Sequence, residues 1–194
     1  MSIRELRTPH VTAHRHMLEA SSDHPSRGTS RPSVSGAVFR SALSQLAAGT
    51  SIVTLCDQDG HKLGLTATAV TSVSLDPPLV LVCIDNRART AAALKAHTPF
   101  VLHFLAADQE SLARRFASPI PNKFDGVAHY LTANGCPQLE DVLASVECVP
   151  YQVHPGGDHI IVIGRVVEVH VGGDDLLPLI YFRSQFLKRS ITND

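Results

Sequence analysis

Three short segments of this 194-residue chain combine residue types that could hold or transform a small ligand. The first is Asp85-Asn86-Arg87-Ala88-Arg89-Thr90, which ends an apolar run and opens a helical one. Amides at a helix start, two guanidinium groups and a hydroxyl are a phosphate-binding set. The same residues also suit a solvated loop with ordinary capping. Arg114-Arg115 could add positive charge or simply complement a helix dipole. The second segment, Gly64 to Ser72, has small and hydroxyl side chains where large apolar ones would be expected in a strand. A flat ligand could lie against such a backbone, although alternating Thr and Ala also make an ordinary sheet face. The third is Gly156-Gly157-Asp158-His159, where a permissive turn delivers an imidazole to the start of a long apolar strand. A lone His in that position serves structure more often than catalysis.

Other chemistries lack their signatures. The chain has no G-x-S-x-G elbow and no G-x-G-x-x-G fingerprint, and Cys56, Cys83, Cys136 and Cys148 form no C-x-x-C pair. No paired-carboxylate spacing supports hydrolysis. His10, His14 and His16 are in part helically spaced, but no Cys or carboxylate joins them at ligand spacing, so no metal is expected. Redox chemistry on a bound cofactor needs none of these groups, because the cofactor supplies the electronics and the protein positions it.

The elements that must position these segments are mostly short strands. Residues 1–33, rich in His, Ser, Arg, Thr and Pro with no sustained apolar period, read as a disordered or weakly ordered arm, and one domain follows over 34–194. Ser33 or Ser35 can cap a helix with Phe39, Leu43, Leu46 and Ala47 on its apolar face and Gly49 at its stop, which should pack on a sheet. Strands are expected at Thr50–Cys56, Leu63–Ser74 and Leu79–Ile84, separated by the Asp57-Gln58-Asp59-Gly60 turn and the Asp76-Pro77-Pro78 breaker. A helix near Thr90–Ala96, a strand Phe100–Leu105 and a helix Asp108–Phe116 capped by Asp108 come next. Ala117–Gly135 reads as a long loop. Strands return at Ala144–Val153, His159–Val171 and Leu179–Phe182. Hairpin spacing without βαβ alternation favours a mainly β fold with a few helices, a closed or nearly closed antiparallel barrel.

Composition fits one ordinary domain with a small partner. Hydrophobic residues make up 44% and charged residues 18%, ample for a core, and the formal net charge of -1 gives no large positive field for nucleic acid or anionic membrane. The arm carries five Arg against three acidic residues, leaving the rest of the chain slightly acidic. No apolar stretch approaches the ~20 residues of a membrane span, and no secretory signal pattern opens the chain, so a cytoplasmic location with reduced thiols is expected.

Four blocks in order, GLTATAVTSVSLDPPLVLVCIDNRART, FLAADQESLARRFA, GGDH and PLIYFR, resemble the flavin reductase component of two-component flavin-dependent monooxygenases, over about Phe39 to Phe186. The resemblance implies a Greek-key split β-barrel of the FMN-binding type, a homodimer, and a flavin near the subunit interface. It implies that FMN or FAD is reduced by NADH or NADPH and passed to a separate monooxygenase. By position, Leu63, Gly64, Leu65, Thr66, Thr68 and Ala69 would wall the flavin, continued by Cys83, Ile84 and Asp85. Arg89 and Thr90 would contact its phosphate, and Arg115 and Phe116 would add a further contact. His159 would serve the nicotinamide step, with Leu176, Leu177, Pro178, Leu179 and Tyr181 on the same side. His103 stands where many relatives have Asn. Two readings of other classes remain: a flavin-holding redox or sensor module that never releases its cofactor, and an interaction barrel for another planar ligand such as heme or pyridoxal phosphate.

Overall fold

A computed structural model describes residues 32–173 and 175–187. Most of the 1–33 arm, with His10, His14 and His16, lies outside the described residues. In chain order the elements are α1 (Gly36–Leu43), β1 (Ala48–Gly49), β2 (Ser51–Cys56), β3 (Lys62–Ala67), β4 (Val70–Ser74), β5 (Leu79–Asp85), α2 (Arg89–Lys95), β6 (Phe100–Phe104), α3 (Glu110–Ala117), β7 (His129–Leu131), β8 (Pro137–Leu139), β9 (Ala144–Gly156), β10 (His159–Val171), β11 (Ile180–Phe182) and β12 (Gln185–Leu187).

Seven strands form one antiparallel sheet in the order β3-β2-β6-β9-β10-β5-β4. Its two edge strands, β3 and β4, are consecutive in sequence and joined only through Thr68 and Ala69. Because so short a link must connect opposite edges, the sheet has to curl until they meet. The Cys83 N–H closes this corner on the Ala69 carbonyl at 3.1 Å. The out-of-sequence neighbours β2-β6, β6-β9 and β10-β5 give the Greek-key order of a split barrel. The expected single strand Leu63–Ser74 is therefore two strands: Leu63, Leu65 and Ala67 turn inward on β3, and the small Thr68-Ala69 pair lets the chain cross to the other edge.

Period-2 alternation fills the barrel. Val53, Leu55, Phe100, Leu102, Val82, Ile84, Ile160 and Val162 form one buried cluster, each burial contributing roughly 1.5–3 kcal/mol. Strand β2 is buried on both faces, because its outer residue Ile52 joins a second cluster with Leu105, Ala113, Phe116, Phe124 and Leu139. The β7-β8 ribbon is stitched onto this outer face by polar groups. The Leu139 N–H donates to His103 Nε2 at 2.9 Å, so the proton of His103 sits on Nδ1, which donates to the Ile52 carbonyl at 3.2 Å. Complete burial pushes the His103 pKa down to about 3, which keeps it neutral. Glu147 accepts from the Thr132 hydroxyl and the Asn134 amide.

Four local expectations need correction. Helix α1 is capped by Ser35, whose Oγ accepts the Val38 N–H, but it ends at Leu43 rather than near Gly49 and packs no residue on the sheet. Phe39 and Leu43 stay exposed; the turns after Leu43 lead into β1, which pairs with β11 instead. Asp108 does not cap α3: Gln109 occupies that position, its Oε1 taking the Ala106 N–H while its amide donates to the Asp141 carbonyl. The loop Ala117–Gly135 contains the short strand β7, and β9 runs on to Gly156 so that Gly157, at φ +73°, makes a tighter turn than expected.

Candidate functional site

The edge of β3 opens onto a cavity of about 570 Å³ whose walls are Lys62–Leu65, Arg87–Thr90 and Pro119–Lys123. Leu63, Gly64 and Leu65 are consecutive, and their side chains alternate between faces of the sheet. All three can line one cavity only if it meets the strand edge-on, where backbone groups of an edge strand are free to bond a ligand. Gly64 is required there. A Cβ on it would stand 2.5 Å from Cε1 of Phe116 and 3.2 Å from the Val53 carbonyl oxygen.

Helix α2 begins at Arg89 and brings the two arginines to this cavity. Arg87 bonds Asp85 at 2.6 Å, and the side-chain and backbone hydrogen bonds from Arg87 hold the Asp85 carboxyl far below the usual range. Arg89 is largely exposed and reaches the Asp57 carboxylate at 3.3 Å. Partial desolvation works against ionisation of Asp57, but hydrogen bonds from the His61 and Asp59 backbone and from the His61 ring win and lower its pKa. Thr90 is 97% buried by the complement of its 3% exposure, and its hydroxyl has no partner. Thr50 Oγ1 and Arg115 Nε are the other two buried side-chain polar atoms without a partner among the described residues.

The sequence missed the third wall. Lys123 donates to the Gly64 carbonyl at 3.1 Å and the Phe116 carbonyl at 2.7 Å, tying the Pro119–Asn122 loop to β3 and α3. Desolvation lowers the pKa of its ammonium. Its neighbour Phe124 packs edge-on to Phe116 with ring centroids 5.1 Å apart. A Lys-Phe pair isolated in a Pro- and Asn-rich loop was the available signal; periodicity carried none. Lys62, also on the wall, lies 2.8 Å from His129 Nε2.

The expected site residues divide into groups. Leu63, Gly64, Leu65, Arg89 and Thr90 share the main cavity. Thr66 and Thr68 line a second one of about 360 Å³ with Thr50 and Tyr181, and the Thr66 hydroxyl donates to the Ala113 carbonyl at 2.6 Å. Ala69 sits at the barrel corner. Ile84 and Phe116 are core residues with 1% and 0% exposure, Phe116 lying under Gly64. Cys83 is half-buried on β5, and Arg115 is half-buried beside Phe116. His159 pairs in register with Asp85 and lies 2.7 Å from the Asp158 carboxylate, at the α2 end of the barrel. The Leu177 carbonyl accepts from Ala107, Pro178 bridges Ala106 and Leu179 bonds Leu105, just beyond β6 at the opposite end. His159 and the 176–181 segment are thus separated within one chain by most of the length of β9, which spans 13 residues.

Two further features adjoin the cavity. A depression of about 300 Å³ shares Leu63 and Arg89 with it and continues past Asp57, Asp59, Ala92 and Ala96. Asp57, Asp59 and His61 also bring three potential metal ligands within 4.8 Å of one another. Asp57 is already committed to the turn by the N–H groups of Asp59 and His61. No helix of the described residues is long and apolar enough to cross a membrane.

The family model described as "Flavin reductase like domain" matches residues 43–189. The chain is 37% identical over 135 residues to a "Probable flavin reductase" of Rhizobium meliloti (strain 1021), covering 70% of this chain but only 43% of that one. It is 39% identical to the reductase component of 4-nitrophenol 4-monooxygenase/4-nitrocatechol 2-monooxygenase of Rhodococcus opacus, covering 77% of this chain and 79% of that one. Among solved structures, NADH:FAD oxidoreductase SgcE6 of Streptomyces globisporus C-1027, in complex with NAD and FAD fragments, superposes with a TM-score of 0.74 at 30% identity, covering 80% of this chain and 93% of that one.

Proposed function

Because the chain belongs to the flavin reductase like domain family, we propose that it is an NAD(P)H:flavin oxidoreductase that reduces FMN or FAD and supplies the reduced flavin to a separate monooxygenase. The observation that carries this reading is the edge-on wall Leu63–Leu65 facing Arg89 and the unpartnered Thr90 hydroxyl across one cavity. A flat ring against a backbone edge, with a phosphate at the cationic end, fits that combination. The naming of the Rhodococcus relative as a monooxygenase reductase component supports the partner.

The chemistry that flavin supplies when bound is acceptance of a hydride from the nicotinamide C4. The chain's own residues align the partners, since a near-attack separation of about 3–3.5 Å removes much of the entropic barrier. The Leu63–Thr66 edge, continued by Thr68 and Ala69, orients the ring. Arg89 and Thr90 hold the phosphate with charge-assisted and neutral hydrogen bonds. Cys83, Ile84, Asp85, Arg115 and Phe116 support this wall. Lys123 braces the loop that covers it. His159 positions the nicotinamide, with Leu176, Leu177, Pro178, Leu179 and Tyr181 completing that side.

His159 lies at the phosphate end of its own barrel, whereas a nicotinamide must meet the ring. That separation supports a homodimer in which His159 serves the partner's flavin, as do the exposed Phe39, Leu43 and Leu46 on and after α1 and Val167, Val169 and Val171 on β10. Residues 1–33 are proposed to be dispensable for reduction, which the start of the family match at residue 43 supports.

Purified protein mixed with free FMN or FAD should oxidise NADH in multiple turnovers, and sedimentation should give a dimer that Phe39→Glu with Leu43→Glu dissociates. A tightly held yellow cofactor with no turnover of added flavin would select the flavin-holding module instead.

A further inference from the structure

The depression beyond Arg89 extends the reading of this chain as a flavin reductase, on which the following rests. We infer that FAD is its preferred flavin, with the adenosine monophosphate half lying over Ala92 and Ala96 and its ribose diol meeting Asp59.

The flavin cavity and the depression are continuous, because Leu63 and Arg89 line both. FMN ends at one phosphate, for which Arg89 and the buried, unpartnered hydroxyl of Thr90 suffice. FAD carries a second phosphate and a nucleoside past that point, and the groove also continues past it, with room for about 300 Å³ more. Three properties of the continuation match a nucleoside. Its floor is apolar and shallow, formed by Leu63, Ala92, Ala93 and Ala96 on one side of α2, so that a planar base can approach the helix closely. Its far wall is acidic, which repels a phosphate but accepts hydrogen bonds from a pair of ribose hydroxyls, as carboxylates do in other nucleotide sites. Asp57 on that wall is occupied by the turn amides and Arg89. Asp59 contributes only its backbone N–H to the turn, and its carboxylate has no partner among the described residues. Arg89 stands at the junction, where the diphosphate would cross from one compartment to the other.

NADH carries the same adenosine diphosphate group, so the test must separate the two sources. Equilibrium titration of the full chain by flavin fluorescence should give a dissociation constant for FAD at least about tenfold below that for FMN. Ala92→Phe fills the floor, and Asp59→Asn removes the carboxylate while keeping the turn amide. Each should raise the FAD constant relative to the FMN constant by about tenfold. ADP should compete with FAD. The inference is overturned if wild-type protein binds FMN as tightly as FAD, or if both substitutions weaken the two flavins alike. It is also overturned if ADP competes with NADH and not with FAD, which would give the groove to the reductant. If neither flavin is bound or reduced, the reductase reading itself fails, and this inference falls with it.

Discussion

Replacing His103 by Gln should flatten the acid sensitivity of the fold. In the folded protein His103 stays neutral down to about pH 3, against the usual 6.5. Above pH 6.5 neither state binds the proton, and the group contributes nothing to pH dependence. As the pH falls through 6.5 the unfolded chain takes up a proton that the folded chain refuses until about pH 3, so stability falls with pH across that window. The loss amounts to about 2 kcal/mol at pH 5 and about 3 kcal/mol at pH 4. Gln keeps an acceptor for the Leu139 N–H but does not titrate, and at pH 7 it should be roughly 1–2 kcal/mol less stable than wild type, through the weakened bond to the Ile52 carbonyl. Urea unfolding at pH 7, 6 and 5, extrapolated linearly, should therefore show the gap between the two proteins shrinking by about 2 kcal/mol. The other histidines and the carboxylates are common to both proteins and cancel. A gap that stays constant across this range would refute the reasoning, because it would mean that the imidazole is protonated in place or is not closed off from solvent.

Arg89→Ala should weaken FMN binding by roughly 1.5–3 kcal/mol, the value of a charged hydrogen bond, and leave riboflavin, which lacks the phosphate, nearly unaffected in the same titration. His159→Ala should slow the hydride step or weaken nucleotide binding in stopped-flow reduction while flavin affinity holds; unchanged reduction would remove His159 from that role. Gly64→Ala forces Phe116 to move away from the new methyl and should lower stability by about 1–3 kcal/mol, read as a drop in melting temperature. Lys123→Met releases the 119–122 loop from the two carbonyls it bonds and should speed flavin dissociation, with Lys123→Arg restoring part of the loss.

The strands and their hairpins were legible because β-branched alternation and turn residues are local signals, and Leu79–Asp85 or His159–Val171 could be read without knowing their neighbours. The break at Thr68-Ala69 was not, because nothing in those two residues announces that the chain leaves one sheet edge for the other. Only the pairing of Val70 with Val82 and of Ile52 with Thr66 makes the change visible. The Arg89-Thr90 half of the cavity was legible through its charge. Lys123 was not, since its role depends on Phe124 packing against Phe116 across a loop with no period. The outward face of α1 was misread for a related reason. An apolar stripe says that something covers it, and does not say whether the cover belongs to the same molecule.

The two-residue corner between β3 and β4 has a consequence for ligand-linked stability. The wall at Leu63–Leu65 and the arginines of α2 face one another only after five other strands have filled the sheet between its edges, so the cavity cannot exist in a partly assembled barrel. A molecule seated there binds the complete fold and no fragment of it. Its binding energy is then felt through the whole sheet, by RT ln(1 + [L]/Kd), and slow-exchanging amides on β6 and β9, remote from the cavity, sense its occupancy as much as those that touch it.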